Sequence, residues 1–174
     1  VTFDASNIYV YDTKFDGGTA TSDDAVQLNS WTLGIVENIY FKNCEIIDGF
    51  DESVNLRQSG TAILRNITFD KCRITNTTGI NQYAVLQTNE VINVTYYYCY
   101  FNANERAIRN KKTDSSDGFS FEMINCISED YNWGTTVEQG NSFSVINCYY
   151  DSPSSTGTKI VDEVDSEGGV GANS

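Results

Sequence analysis

All five cysteines of this chain close one recurring seven-residue phrase, and this repeat constrains the fold more than any other feature. The phrase alternates apolar and polar residues, and successive cysteines lie about 22 to 28 residues apart. Copies that end in cysteine cover residues 38–44, 66–72, 93–99, 120–126 and 142–148, and a copy at 7–13 ends in Thr13. Units of this length that recur in register are typical of solenoids, in which each coil packs on the next.

The repeat predicts strands rather than helices. Within the phrase at 38–44, Ile39 and Phe41 fall on one side and Tyr40 and Lys42 on the other, a period of two. A second β-rich segment precedes each phrase, and turn residues separate the segments. Two or three short strands per coil, repeated about six times, predict an all-β, right-handed parallel β-helix. The leucine spacing and asparagine ladder of leucine-rich repeats are absent, and an immunoglobulin-like sandwich would not hold every cysteine in register.

The chain of 174 residues is expected to form one domain. We assign the β-helix to residues 1–161 and an acidic, glycine-rich tail to residues 162–174. The last residues of the tail should be ordered only by a neighbouring chain, because their composition buries little apolar surface. A start at Val1, without Met and close to a coil strand, favours a processed protein or an excised piece.

The formal net charge of −13 disfavours nucleic acid and anionic membranes as partners. No apolar run is long enough to span a membrane. Sequons at Asn66, Asn76 and Asn93 are candidate glycosylation sites. Asn66 and Asn93 share a phrase position with Asn7 and Asn38, so a role in a turn is the alternative interpretation. These features favour an extracellular or cell-surface protein and make a glycoprotein one interpretation.

The cysteines would form one line along a β-helix. A convergent metal site is therefore disfavoured, and parallel side chains about 4.8 Å apart are poorly oriented for disulfides. The odd number leaves at least one thiol free within a single chain. We interpret the cysteines as a structural ladder of small buried side chains. Its members are Cys44, Cys72, Cys99, Cys126 and Cys148.

Five segments follow one another in an order that points to a family. Residues 24–28 (D-A-V-Q-L), 38–44 (N-I-Y-F-K-N-C) and 48–56 (D-G-F-D-E-S-V-N-L) look like runs D-A-I-x-I, N-V-W-I-D-H-C and D-G-x-x-[DE]. Residues 94–109 resemble V-T-x-H-H-N-Y-F-x-x-x-x-R-x-P-R, and residues 143–150 resemble V-x-V-x-N-N-Y-Y. These runs belong to pectate lyases, which are right-handed parallel β-helices. The resemblance covers roughly residues 20–152.

The resemblance implies cleavage of an acidic polysaccharide by β-elimination, with calcium on the uronate carboxylate and an arginine as the base. Arg106 matches this catalytic arginine. Basic substrate-binding positions fall on Arg109 and Lys111, and the lysine that grips substrate falls near Gln82. Arg109 and Lys111 belong to a basic cluster that also contains Arg106 and Lys112. This cluster is where we expect polysaccharide affinity to centre, because a polyanion must approach a protein of charge −13.

The implied calcium ligands are Asp51 and Asn55. Asn55 stands where the family has a second carboxylate, and Lys42 replaces another family aspartate. Since calcium prefers several oxygen ligands, many of them carboxylates, we expect at most weak Ca²⁺ binding and weak or no lyase activity. At about 5 Å per coil, Arg106 and Asn55 would lie about 10 Å apart, two coils from each other.

Two further kinds of site follow from the residues themselves. The chain has no histidine, which excludes Ser-His-Asp and Cys-His catalysis and histidine metal sites. A pair of carboxylates of the glycosidase type is one alternative, and its candidates are Asp23, Asp24, Asp51, Glu52 and Glu138. Outward-facing tyrosines would offer flat platforms for sugar rings, and their candidates are Tyr9, Tyr40, Tyr96, Tyr98 and Tyr100.

We therefore predict a carbohydrate-directed extracellular β-helix module that binds an acidic polysaccharide or another glycan, with weak or no lyase activity. If the chain is an enzyme, it is a calcium-dependent polysaccharide lyase. The alternative is a structural subunit of a fibre, spike or surface layer, whose β-helix ends associate with other chains.

Overall fold

A computed structural model describes residues 1–3, 5–18, 24–29, 34–58, 63–78, 83–88, 91–111, 120–130, 133–138, 142–151 and 160–163. For residues 3, 130, 133–138 and 160–163 it describes the backbone alone. These parts of the chain contain nineteen strands and no helix.

The strands follow one another along the chain in a regular order. They are β1 (Thr2–Phe3), β2 (Ile8–Tyr11), β3 (Lys14–Asp16), β4 (Val26–Asn29), β5 (Ile35–Lys42), β6 (Glu45–Ile47), β7 (Glu52–Arg57), β8 (Ile63–Asp70), β9 (Arg73–Asn76), β10 (Tyr83–Thr88), β11 (Val91–Tyr97), β12 (Tyr100–Ala103), β13 (Arg106–Lys111), β14 (Ser120–Ile124), β15 (Ile127–Asp130), β16 (Trp133–Glu138), β17 (Ser142–Ile146), β18 (Tyr149–Asp151) and β19 (Ile160–Glu163).

Three parallel sheets collect every third strand. Sheet A runs in the order β1-β4-β7-β10-β13-β16-β19, sheet B contains β2, β5, β8, β11, β14 and β17, and sheet C contains β3, β6, β9, β12, β15 and β18. Each coil thus adds one strand to each sheet in turn, which confirms the predicted all-β parallel β-solenoid. The phrase that ends in cysteine supplies sheet B, and the β-rich segment before it supplies sheet A.

The core consists of side chains stacked in rows across the coils. On sheet B, Phe41 and Phe69 stack with ring centroids 5.0 Å apart, and Phe69 stacks on Tyr96 at 5.3 Å. All three are fully buried. On sheet A, Val54 and Val85 pair in register and are likewise fully buried. The period of two therefore directs the same phrase positions inward in every coil, and apolar contact between equivalent residues joins each coil to the next.

Two recurrent positions, one before or within the sheet-B strand and one directly after it, adopt left-handed backbone. The first is asparagine with φ between 56° and 61°, at Asn7, Asn38, Asn66 and Asn93. The second directly precedes Thr13 or a cysteine and has φ between 49° and 55°, at Asp12, Asn43, Lys71, Tyr98, Asn125 and Asn147. Asparagine and aspartate tolerate this region better than most other residues with a side chain, which explains their recurrence in the phrase.

The asparagines of the first position also bond to one another from coil to coil. Asn38 Nδ2 donates to Asn7 Oδ1 at 3.1 Å, Asn66 Nδ2 to Asn38 Oδ1 at 3.3 Å, and Asn93 Nδ2 to Asn66 Oδ1 at 3.2 Å. We call this row of Asn7, Asn38, Asn66 and Asn93 the asparagine ladder. No ladder of this kind was predicted from the sequence.

All five cysteines are free thiols at equivalent positions of successive coils. Four are buried, and Cys148 is half-buried. The thiol of Cys72 lies 3.6 Å from the backbone oxygen of Phe41. The thiol of Cys99 lies 3.2 Å from the backbone oxygen of Phe69. These contacts join both cysteines to the coil before them.

The predicted tail begins inside the solenoid. Asp162 and Glu163 belong to β19, which pairs with β16 in sheet A. Residues 164–174 lie outside the described residues, and so does the predicted behaviour of the end of the tail.

Candidate functional site

Sheet A carries Arg106, the arginine that the resemblance to pectate lyases implies as the base. Arg106 begins β13 and is 9% exposed. Its Nε lies 3.4 Å from Glu105 Oε1, and its guanidinium carbon lies 5.8 Å from the centre of the Tyr83 ring. Arg109 Nη1 donates to the Tyr83 hydroxyl at 2.7 Å. The two arginines thus enclose one tyrosine, and Arg106 presents little of its side chain to solvent.

The register of sheet A differs from the predicted spacing. Asn55 pairs with Leu86, and Leu86 pairs with Arg109, so Arg109 shares the row of Asn55. Arg106 lies instead in the row of Tyr83 and Glu52. The expected alignment of Arg106 with Asn55 is therefore wrong by three residues along the strand, although the two residues do lie two coils apart.

The predicted calcium ligands, Asp51 and Asn55, have contacts of their own within the fold. Asn55 is 8% exposed, and its Nδ2 lies 3.5 Å from Glu52 Oε2. The carbonyl oxygen of Asp51 accepts a hydrogen bond from Asn76 Nδ2 at 2.9 Å. Calcium takes six to eight oxygen ligands, whereas among the described residues no three acidic or thiol side chains are grouped as a metal ion requires. The residues present do not fit calcium well.

The other predicted residues of this face are placed only in part. Lys111 ends β13 and is half-buried. Gln82 and Lys112 lie outside the described residues. Of the candidate carboxylates, Asp24 Oδ1 accepts from the backbone nitrogen of Glu52 at 3.1 Å, which uses one of its oxygens in the fold. Asp23 and the side chain of Glu138 lie outside the described part.

The amide nitrogens of the three sequons all serve as donors within the fold. Asn66 and Asn93 belong to the asparagine ladder, and Asn76 is fully buried against the carbonyl of Asp51. A glycosylated amide keeps one N–H, so the ladder bonds of Asn66 and Asn93 are compatible with glycosylation, whereas Asn76 would have to leave the core.

Sheet B carries an open groove of about 370 Å³ on its outer face. The groove crosses four coils, from β2 to β11, and the asparagine ladder follows it. Tyrosine and threonine side chains of the third phrase position share its wall with the ladder. The lining residues are Tyr9, Asn38, Ile39, Tyr40, Asn66, Thr68, Asn93 and Thr95, and we call this site the sheet-B groove.

The tyrosines at one end of the sheet-B groove are held at an angle to each other. The rings of Tyr9 and Tyr40 have centroids 6.5 Å apart and planes tilted by 53°. Tyr9 is 62% exposed, whereas Tyr40 is half-buried and its hydroxyl donates to Asp70 Oδ2 at 2.8 Å. That hydrogen bond, together with burial, raises the pKa of Tyr40 to about 12. Tyr40 is therefore a fixed ring, and Tyr9 an accessible one.

The five candidate platform tyrosines prove to have different surroundings. Tyr9 and Tyr40 line the sheet-B groove, whereas Tyr96 is fully buried in the core. Tyr98 is 49% exposed at the turn before Cys99, and Tyr100 is half-buried on sheet C. The ladder and the threonines of the groove were missed, although the recurrence of asparagine at one phrase position was the signal that could have found them.

No protein-family model matches this chain. Searches of curated proteins and of solved structures likewise find no significant match. The described residues include no helix long and apolar enough to cross a membrane.

Proposed function

We propose that this chain is a carbohydrate-directed β-helix module, acting outside the cell or at its surface, that binds polysaccharide with weak or no lyase activity. The observation that supports it is the sheet-B groove, where accessible tyrosine faces lie beside a continuous row of amides. Sugar rings combine apolar faces with hydroxyl rims, and aromatic rings beside hydrogen-bonding groups match both parts.

The surroundings of Arg106 support binding rather than lyase chemistry. A general base must lie within hydrogen-bond reach of the proton that it removes. Arg106 is mostly buried, and its side chain is engaged by Glu105 and Tyr83. The described residues also include no group of three acidic or thiol side chains that could hold a metal ion, so we propose binding rather than β-elimination.

Binding is tested by affinity electrophoresis in gels that contain soluble polysaccharides, with two matched variants. Tyr9→Ala removes a ring that is 62% exposed in the sheet-B groove, and Tyr149→Ala removes one that is 60% exposed on sheet C. We expect the first to lose retardation and the second to keep it. Equal retardation of both variants would place the site elsewhere, and Arg106→Ala would then test the face of sheet A.

The structural alternative draws support from a different surface. Tyr97 and Ile146 lie in one row of sheet B, and Ile127 and Tyr149 pair on sheet C. All four are more than one-third exposed, with relative exposures from 38% to 60%. If the chain is a fibre or surface-layer subunit, sedimentation velocity should show concentration-dependent assembly, and Ile146→Lys should reduce it. In that case we also expect no binding of polysaccharide.

A further inference from the structure

The lining of the sheet-B groove carries no charged side chain: it consists of tyrosine, asparagine, isoleucine and threonine. The four charged residues of β2, β5, β8 and β11 are paired with each other, and the next strand places the acidic Glu122 beside Thr95. Arg65 Nε lies 2.7 Å from Glu37 Oε2, and these two residues directly precede ladder asparagines. Lys42 Nζ lies 3.7 Å from Asp70 Oδ2, the oxygen that also accepts from the Tyr40 hydroxyl. The groove thus offers no unpaired cation among these flanking groups to attract an anion.

The asparagine ladder has both kinds of hydrogen-bonding capacity left over. A carboxamide has two N–H donors and an oxygen with two acceptor sites. Asn66 donates one N–H to Asn38, and its oxygen accepts one bond from Asn93. Each inner rung therefore retains one donor and one acceptor toward the exposed side. A sugar hydroxyl both donates and accepts and can use both, whereas a carboxylate can only accept.

From these observations we infer that the sheet-B groove selects an uncharged, hydroxyl-rich glycan chain, not a polyuronate, and that the chain lies along the solenoid axis across β2, β5, β8 and β11. The inference rests on the proposed function and departs from the acidic polymer that the sequence resemblance implies. A polyuronate would also bring repeated negative charge to a protein of net charge −13.

The dimensions of the groove set the length of ligand that it recognises. Four coils span three inter-strand steps of about 4.8 Å, or about 14 Å. Affinity should rise with oligosaccharide length until the ligand covers this distance and then level off. Since no ion pair forms with the ligand, affinity should change little with salt.

The test uses isothermal titration calorimetry on the whole chain with cellohexaose, mannohexaose, and hexagalacturonate as free acid and as methyl ester. The two forms of hexagalacturonate share length and linkage and differ in charge. We expect at least one uncharged probe to bind, the ester to bind more tightly than the acid, and affinity to vary less than about twofold between low and physiological salt.

Two glycine variants assign the binding to the ladder. Asn66→Gly removes an amide of the groove and Asn125→Gly an amide outside it, and glycine suits the positive φ of both positions. Asn125 Oδ1 also accepts from Asn147 Nδ2, so each variant breaks a bond between asparagines. We expect Asn66→Gly to weaken binding of the uncharged probe by about threefold to tenfold and Asn125→Gly to leave it unchanged.

The outcomes separate this inference from the proposed function. Tighter binding of the free acid, with affinity that falls as salt rises, would overturn the inference and leave polysaccharide binding in place. Equal binding by both glycine variants would overturn the assignment to the ladder. If none of the probes binds, the proposed function fails as well.

Discussion

Tyr96 is a tyrosine whose hydroxyl the core does not use. Its ring continues the Phe41–Phe69 stack and is fully buried, and its hydroxyl has no hydrogen-bond partner within the described part of the chain. Burial raises the pKa of this hydroxyl well above its ordinary value, so the group stays neutral. A buried donor without a partner costs about 1–3 kcal/mol. We therefore expect Tyr96→Phe to stabilise the protein by about that amount.

The stabilisation is measured by urea denaturation followed by tryptophan fluorescence, and by thermal unfolding. For a chain of this size each kcal/mol corresponds to about 2–4 °C in Tm. The slope of the free energy of unfolding against urea should stay the same, because the substitution changes little surface.

Tyr40→Phe is the matched control, since it removes a hydroxyl from the same sheet. That hydroxyl donates to Asp70 Oδ2 at 2.8 Å, so its loss should cost about 1.5 kcal/mol, the lower end for a bond to a charged group. The two substitutions should therefore move stability in opposite directions. A Tyr96→Phe variant that is less stable than the parent would refute the reasoning, because it would show that the hydroxyl bonds to something, such as an internal water.

Three further predictions concern Gln87, Cys99 and Tyr40. Gln87 is fully buried and pairs in register with Leu56, and its amide nitrogen and oxygen have no hydrogen-bond partner among the described residues. Gln87→Leu should therefore raise the free energy of unfolding by about 1–3 kcal/mol in the same urea assay. Cys99→Asp would bury an unpaired charge and should lower the free energy of unfolding by more than about 3 kcal/mol, with a lower Tm. An unchanged Tm would argue against a buried row of cysteines. The hydrogen bond to Asp70 raises the pKa of Tyr40 from 10.0 to about 12, so the free energy of unfolding should fall as pH rises through this range. Urea midpoints measured at several pH values should show a smaller fall for Tyr40→Phe than for the parent.

The sequence sufficed for the fold because the same short pattern recurs. A period of two within each phrase, and a cysteine at the same place in successive phrases, left few arrangements other than stacked parallel strands. Alignment of the phrases with one another also predicts that Tyr96 faces the core. It occupies the phrase position of Phe41 and Phe69, both of which face the core, whereas Tyr40 occupies the position before it.

The site was harder to predict than the fold because it depends on register between strands. Arg106 and Arg109 are three residues apart, and only the pairing of β13 with β10 decides which of them shares the row of Asn55. Residues between the strands vary in number from coil to coil, so spacing along the chain does not fix this pairing. The burial of Arg106 depends in turn on its contacts with Glu105 and Tyr83, which the sequence does not reveal.

The turn chemistry of the solenoid and the proposed binding surface are properties of the same asparagines. A left-handed residue recurs at the first phrase position because asparagine tolerates that backbone conformation, and stacking of equal coils then places the amides within hydrogen-bond distance of one another. The ladder ends where the phrase begins with serine instead: Ser120 Oγ donates to Asn93 Oδ1 at 3.3 Å, and the described part of the row has no further amide beyond it. The length of the sheet-B groove is therefore set by how many successive phrases begin with asparagine. A glycan that follows the axis would meet one amide per coil, so the repeat that builds the fold also sets the spacing of the contacts that we propose for its ligand.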